Sequence, residues 1–144
     1  MLRPEPFDPE QEIATFRARQ AHAGALVSFV GLARGEGGAV VNLHLDHHPR
    51  LTLESLERIA ADARGRFAVE DVLVIHRCGD IAPGEPIVLA AAAAEHRRAA
   101  FEAADYLMDR LKSEAMFWKR EDRADGSAWI EPTDADARDL ARWS

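Results

Sequence analysis

Residues 86–112 read PIVLAAAAAEHRRAAFEAADYLMDRLK, and the fold depends on where this stretch divides. The alanine run favours helix by intrinsic propensity. A single helix over the whole stretch would be long for a globular chain. Pro86-Ile87-Val88-Leu89 begins as a strand does. The sequence therefore predicts a strand over 86–93 and a helix over 95–113, the helix carrying Phe101, Ala104, Tyr106, Met108 and Leu111.

Downstream, residues 116–122 and 127–131 flank Asp125-Gly126, a hairpin signal. The tail from Pro132 is acidic with one Trp143, and reads as a short docked helix. Upstream, residues 71–77 (DVLVIHR) are strand-like, and Cys78 to Glu85 form a Gly/Pro loop. Leu53, Leu56, Ile59, Ala60 and Ala63 make a helical stripe over 52–66. Residues 39–48 alternate, with Val41, Leu43 and Leu45 on one face and Asn42, His44 and Asp46 on the other; Pro49 ends the strand. Residues 34–38 (RGEGG) are a flexible loop, and 25–33 (ALVSFVGLA) read as a buried strand. Asp8-Pro9 opens a helix bearing Ile13, Phe16 and Ala23, with Gly24 as its stop. No repeat or linker breaks the chain, so the expectation is one α+β domain over 1–144, with 132–144 as its tail.

The chain has 144 residues, 47% apolar and 30% charged, with 18 Lys+Arg against 25 Asp+Glu and a net charge of −7. That length suits one domain with a real core. Normal apolar content excludes disorder as the main state. No apolar run is long enough to span a membrane. The acidic, Pro-rich start does not read as a signal peptide. One cysteine, Cys78, allows no internal disulfide and fits a reducing, cytoplasmic setting. A net-acidic chain without a basic run is a poor nucleic-acid binder.

Of the 18 basic residues only Lys112 and Lys119 are lysine. Arg replaces Lys as a solubilising charge. It does not replace a group that must lose a proton near neutral pH or act as a nucleophile. Helix-end dipole compensation is the ordinary alternative for Lys112. For Lys119 the alternative is an outward strand position beside a core Trp118. Glu95-His96-Arg97-Arg98 opens the long helix, where free N–H groups and Arg side chains form an anion site; a solvated first turn is the plain alternative. Arg34 ends a strand beside the Gly-rich loop, facing either ligand or solvent. His44, Asp46 and His48 have metal-ligand spacing along a strand, although a polar edge gives the same pattern. Cys78, near His76 and Arg77, is an activated thiolate or a small buried filler.

Several motifs then fall in one order. They are Phe29-Val30-Gly31 with Arg34, Ile75-His76-Arg77 with Gly79 and Gly84, His96-Arg97 with Ala100-Phe101, Leu111-Lys112, Phe117-Trp118-Lys119-Arg120-Glu121, and Gly126 with Trp129. On these motifs the chain resembles the large, catalytic subunit of molybdopterin synthase over about residues 5–132. The resemblance implies an α+β fold of the α/β-hammerhead type, a mixed sheet with packed helices and a C-terminal β-hairpin. It implies a homodimer of this chain within a heterotetramer, each copy binding a small ubiquitin-like subunit. The thiocarboxylate on that partner's C-terminal Gly-Gly would supply two sulfurs to cyclic pyranopterin monophosphate, making the dithiolene of molybdopterin. Lys112 and Lys119 match the catalytic lysines. Arg34, His96 and Arg97 match substrate-binding residues, with His96 and Arg97 expected across the dimer interface, and Phe29 matches a pocket-lining position. The resemblance calls for no cofactor and no metal. The alternative is a catalytically silent module of the same fold that docks the ubiquitin-like partner. Leu45-Asp46 stands where a Tyr-Glu pair is usual, and Met116 where proline is usual.

Overall fold

The computed structural model describes residues 1–144. In chain order its elements are β1 (Leu2–Arg3), α1 (Pro9–Ala18), β2 (Ala25–Leu32), β3 (Val40–His47), α2 (Leu51–Arg66), β4 (Asp71–Arg77), β5 (Gly79–Ile81), β6 (Pro86–Ala94), α3 (Arg97–Glu114), β7 (Phe117–Arg123), β8 (Gly126–Ile130) and α4 (Asp134–Ala141). A single 3-10 turn, Glu36–Gly38, lies within the Gly-rich loop.

The deciding stretch splits as its apolar start requires, into β6 and α3. β6 lies between β4 and β2, antiparallel to both, in a sheet of order β1-β4-β6-β2. Ala90 to Ala94 are fully buried there. Helix propensity is a weak prior, and a central strand covered on both faces overrides it. Small side chains let both covering layers approach. On one face Val72, Val74, Val88, Ala90 and Ala92 pack against Leu56, Ile59 and Ala63 of α2 and Ala103, Leu107 and Leu111 of α3. On the other, Leu73, Ile75, Leu89, Ala91 and Ala93 pack against Phe7 and Phe16. β1 runs parallel to β4, so this sheet is mixed.

The second sheet, β5-β3-β7-β8, is antiparallel throughout and closes on Ala33, Leu43, Leu45 and Ile81. The β7–β8 hairpin turns at Ala124-Asp125, with Gly126 (φ 140°) opening β8. Asp8 caps α1 by accepting from the N–H groups of Glu10 and Gln11.

Four local expectations need correction. The 25–33 strand is not buried: β2 is an edge strand, with Phe29 44% and Leu32 54% exposed, because β6 takes the central place. Val41 leaves the face of Leu43 and Leu45, because a register shift between Val40 and Asn42 turns it outward. α1 ends at Ala18 rather than at Gly24. Gly24 instead donates its N–H to the Ala94 carbonyl at 2.9 Å, where an added Cβ would collide with the Glu95 carbonyl. The loop from Cys78 to Glu85 contains the short strand β5, paired with β3.

The tail docks. Thr133 and Asp136 form a capping box at the start of α4. Trp143 packs edge-on against Phe67 and Tyr106, at centroid distances of 5.7 and 5.4 Å, and donates its indole N–H to Asp109 at 2.6 Å.

Candidate active site

Along β7, Phe117, Lys119 and Glu121 take one face and Trp118, Arg120 and Asp122 the other. Phe117 fills the inward place and stacks on the His76 ring at 4.1 Å. That phase runs against the alternative of an outward Lys119 beside a core Trp118. Trp118 is 49% exposed, whereas Lys119 is half-buried. Lys119 sits across from Leu45 on β3 and Ile130 on β8.

Burial pushes the Lys119 ammonium below its ordinary value. The charges of Lys112 and Arg34 push it further down, while Glu121 and Asp136 pull it up. Lys112 stands in the last turn of α3 and Arg34 follows β2; both are exposed. The end of α3, the adjoining β7 and the remote end of β2 thus bring three cations into one field, within a chain whose net charge is −7. Such a local positive focus attracts anions even to an acidic protein. Beside Lys119 an open hollow is lined by Phe117, Trp118, Trp129, Ile130, Glu131 and Pro132.

The backbone at Arg34 is held from behind. Ala33 donates to the Glu85 carbonyl at 2.9 Å and accepts from the Gly84 N–H at 2.7 Å. Gly84 has φ 89°, a conformation suited to glycine. The Glu85 carboxylate accepts from the Ala82 N–H at 2.9 Å and from the Arg77 guanidinium at 3.3 Å. Arg77 is buried and also donates to the carbonyls of Asp80 and Pro4.

His96 and Arg97 lie elsewhere. His96 is the N-cap of α3 and makes no side-chain bond to the first turn, so its N–H groups remain free beside exposed Arg97 and Arg98. A hollow here is lined by Arg97, Arg98, Phe101, Glu102 and Asp105. Arg97 and Lys112 are about 22 Å apart along the helix axis, from a rise of about 1.5 Å per residue. Phe29 lies opposite Ala90 on the sheet face that α3 covers, at the open edge. Within one copy the six expected residues therefore form two groups. One is Lys112, Lys119 and Arg34; the other is His96 and Arg97, with Phe29 on the exposed edge.

The metal spacing dissolves. His44 contacts Asp80 at 2.8 Å, Asp46 is exposed, and His48 lies beyond the strand, where its ring accepts from the N–H groups of Arg50 and Leu51. No group of three or more His, Cys, Asp or Glu side chains is arranged to hold a metal. Cys78 is buried, and burial pushes its thiol up against the opposing charge of Arg77, which disfavours the thiolate. No helix is long and apolar enough to cross a membrane.

Sequence patterns alone give no role beside the lysines to His76, Glu85 or Asp136. The stacking of His76 on Phe117 and the convergence of Asp136 on the lysines need contacts between remote segments. Glu85 was visible only as a loop residue.

Comparisons with known proteins agree on one group. The sequence profile described as "MoaE protein" matches residues 2–114. A molybdopterin synthase catalytic subunit of Caulobacter vibrioides is 50% identical over 142 residues, covering 99% of this chain and 95% of that protein. A solved structure, the molybdopterin biosynthesis MoaE protein from Burkholderia ambifaria, superposes with a TM-score of 0.84 at 41% identity, covering 99% of this chain and 95% of that one. The complex of subunits 1 and 2 of molybdopterin-converting factor from Helicobacter pylori shares the fold, with a TM-score of 0.77 at 20% identity, covering 90% of this chain and 88% of that one.

Proposed function

The chain belongs to the MoaE family of molybdopterin synthase catalytic subunits, enzymes of molybdenum cofactor biosynthesis, and from that premise we propose how it works. It converts cyclic pyranopterin monophosphate to molybdopterin in the cytoplasm. Two sulfurs come, one from each of two small ubiquitin-like subunits in turn, from the thiocarboxylate on the C-terminal Gly-Gly; each tail is left as a carboxylate, with oxygen from water taking the place of the sulfur. The partner reading draws support from the H. pylori two-subunit complex of the same fold. Two copies of this chain form the centre of a heterotetramer.

The observation that carries this reading is the half-buried Lys119, its ammonium lowered by burial and by Lys112 and Arg34, in a chain whose only other lysine is Lys112. The tail thiocarboxylate and the phosphorylated pterin are both anions. Arg34 draws them in together with the charge of the lysines. Lys112 lies nearest the tail's terminal carbon. Lys119, its ammonium lowered chiefly by burial, exchanges protons with the reacting groups as sulfur leaves that carbon. His96 and Arg97, too far along α3 to reach Lys112 of their own copy, bind the pterin's anionic part in the other copy's site. Phe29 lines the same pocket from its open edge.

The test is reconstitution. Mixing the chain with thiocarboxylated partner and pterin precursor yields the dithiolene product, and the chain alone yields none with sulfide or cysteine as donor. Tight partner binding without product would leave a silent docking module.

A further inference from the structure

Only Ala115 and Met116 separate the end of α3, which carries Lys112, from the start of β7, which carries Lys119. Any rotation of this two-residue joint swings one lysine relative to the other. Ala115 has left the helix (φ −69°, ψ 136°), and its carbonyl accepts from the Phe117 N–H at 2.9 Å. Met116 finds both its backbone partners in α2, more than sixty residues earlier.

Those partners are two hydroxyls. Thr52 Oγ1 donates to the Met116 carbonyl at 2.6 Å, and Ser55 Oγ accepts from the Met116 N–H at 3.3 Å. Each hydroxyl is used a second time. Thr52 Oγ1 accepts from the His48 N–H at 2.9 Å, and Ser55 Oγ donates to the Thr52 carbonyl at 2.7 Å. Each hydroxyl thus donates once and accepts once, in the direction its chemistry allows. Thr52 is 0% and Ser55 1% exposed, so water cannot replace either. Two buried hydroxyls on the apolar face of a helix are costly unless they are bonded. Capping of the first turn does not explain them, because neither hydroxyl accepts from an N–H of α2; the His48 ring takes the N–H groups of the N-cap Arg50 and of Leu51.

We propose that Thr52 and Ser55 are positioning residues of the lysine site: together they clamp both backbone polar groups of Met116 and so set Lys119 against Lys112. Neither touches a reacting group. The clamp works by denying the joint its freedom. This inference rests on the proposed sulfur transfer for its consequence but on hydrogen-bond geometry for its substance, and the test separates the two.

The chain has only two lysines, so isotope-labelled lysine side chains give two resonances, assigned with Lys112→Arg. Their titration is followed by NMR in the full-length chain, alongside thermal unfolding and, with thiocarboxylated partner and precursor, turnover. In Thr52→Val and Ser55→Ala, the Lys119 titration moves up by about half a pH unit as its ammonium gains water. Turnover falls about tenfold with the KM for partner little changed. Thr52→Ser, which keeps the hydroxyl, restores both. Met116→Pro removes the N–H that Ser55 accepts, and the ψ of Ala115 suits a following proline; in that background Ser55→Ala moves Lys119 no further. Should Thr52→Val fail to fold, Ser55→Ala with and without Met116→Pro decides the question alone. A folded Thr52→Val or Ser55→Ala protein with an unmoved Lys119 titration overturns the proposal, whatever its melting temperature. Absence of product from the parent chain would overturn the synthase reading and leave the titration arm standing.

Discussion

Lysine rarity was the most informative single-residue signal. In the proposed mechanism, the two ammonium groups among 16 arginines stand where a permanent guanidinium would not serve. Lys112→Arg and Lys119→Arg keep the charge, so both variants should fold and bind the small subunit. Neither can lose a proton, so each should lose most sulfur transfer, roughly a hundredfold or about 2.7 kcal/mol of barrier, with Lys112→Arg the more severe. Product formation and partner affinity, measured on the same preparations, check this; near-normal turnover would reduce both lysines to charge. Cys78→Ser should retain most activity, because the thiol is buried and its thiolate disfavoured. His76 gives a pH signature. Burial lowers it from an ordinary 6.5 to about 4, with the Arg77 carbonyl bond opposing and Lys119 reinforcing the shift. The native state keeps it neutral while the unfolded chain takes a proton below 6.5. Stability is therefore full above pH 6.5, falls as pH drops toward 4, and levels off below it. The loss should reach roughly 2–3 kcal/mol after allowance for partial exposure. Urea melts across that range should show the slope, and His76→Phe should flatten it.

Elements with local signals were legible. The Asp8-Pro9 cap, the α2 stripe, β4, and the split between β6 and α3 follow from patterns within a few residues. What escaped depends on remote partners. β1 and β5 are too short to carry a period and exist because β4 and β3 lie beside them. The run ALVSFVGL suits a buried strand or an apolar edge equally, and only the central place of β6 makes β2 an edge. The Val41 bulge and the inward Lys119 are questions of phase that alternation alone does not settle. The residue patterns alone offer Lys112, Lys119 and Arg34 as three separate candidates, and only the family resemblance groups them as one site. Two element-scale outcomes follow. Trp143→Ala should cost about 2–4 kcal/mol in denaturant melts, through lost aromatic packing and the loss of one of the two hydrogen bonds to Asp109, which keeps its Arg142 partner. Glu85→Ala should cost about 3 kcal/mol, because it leaves buried Arg77 without its counter-charge. It should also weaken pterin binding by loosening the turn that holds Ala33 and Arg34; calorimetry with intact binding would limit the pair to stability.

At the scale of the whole molecule, the length of α3 sets the constraint. One copy cannot bring His96 and Arg97 to its own Lys112, since about 22 Å of helix lies between them. A composite site needs a second copy. The exposed apolar residues Phe29, Leu32 and Phe101, 44%, 54% and 60% accessible, offer surface for that contact. The account is tested most directly by product formation from co-expressed Arg97→Ala and Lys112→Ala chains. Each variant alone should be nearly inactive. In random two-fold dimers, half the dimers are mixed and each mixed dimer rebuilds one intact site of two, so activity should return to about a quarter of the parent level. No recovery from proven mixed dimers would contradict the shared site, and would place His96 and Arg97 outside the chemistry assigned to Lys112 and Lys119.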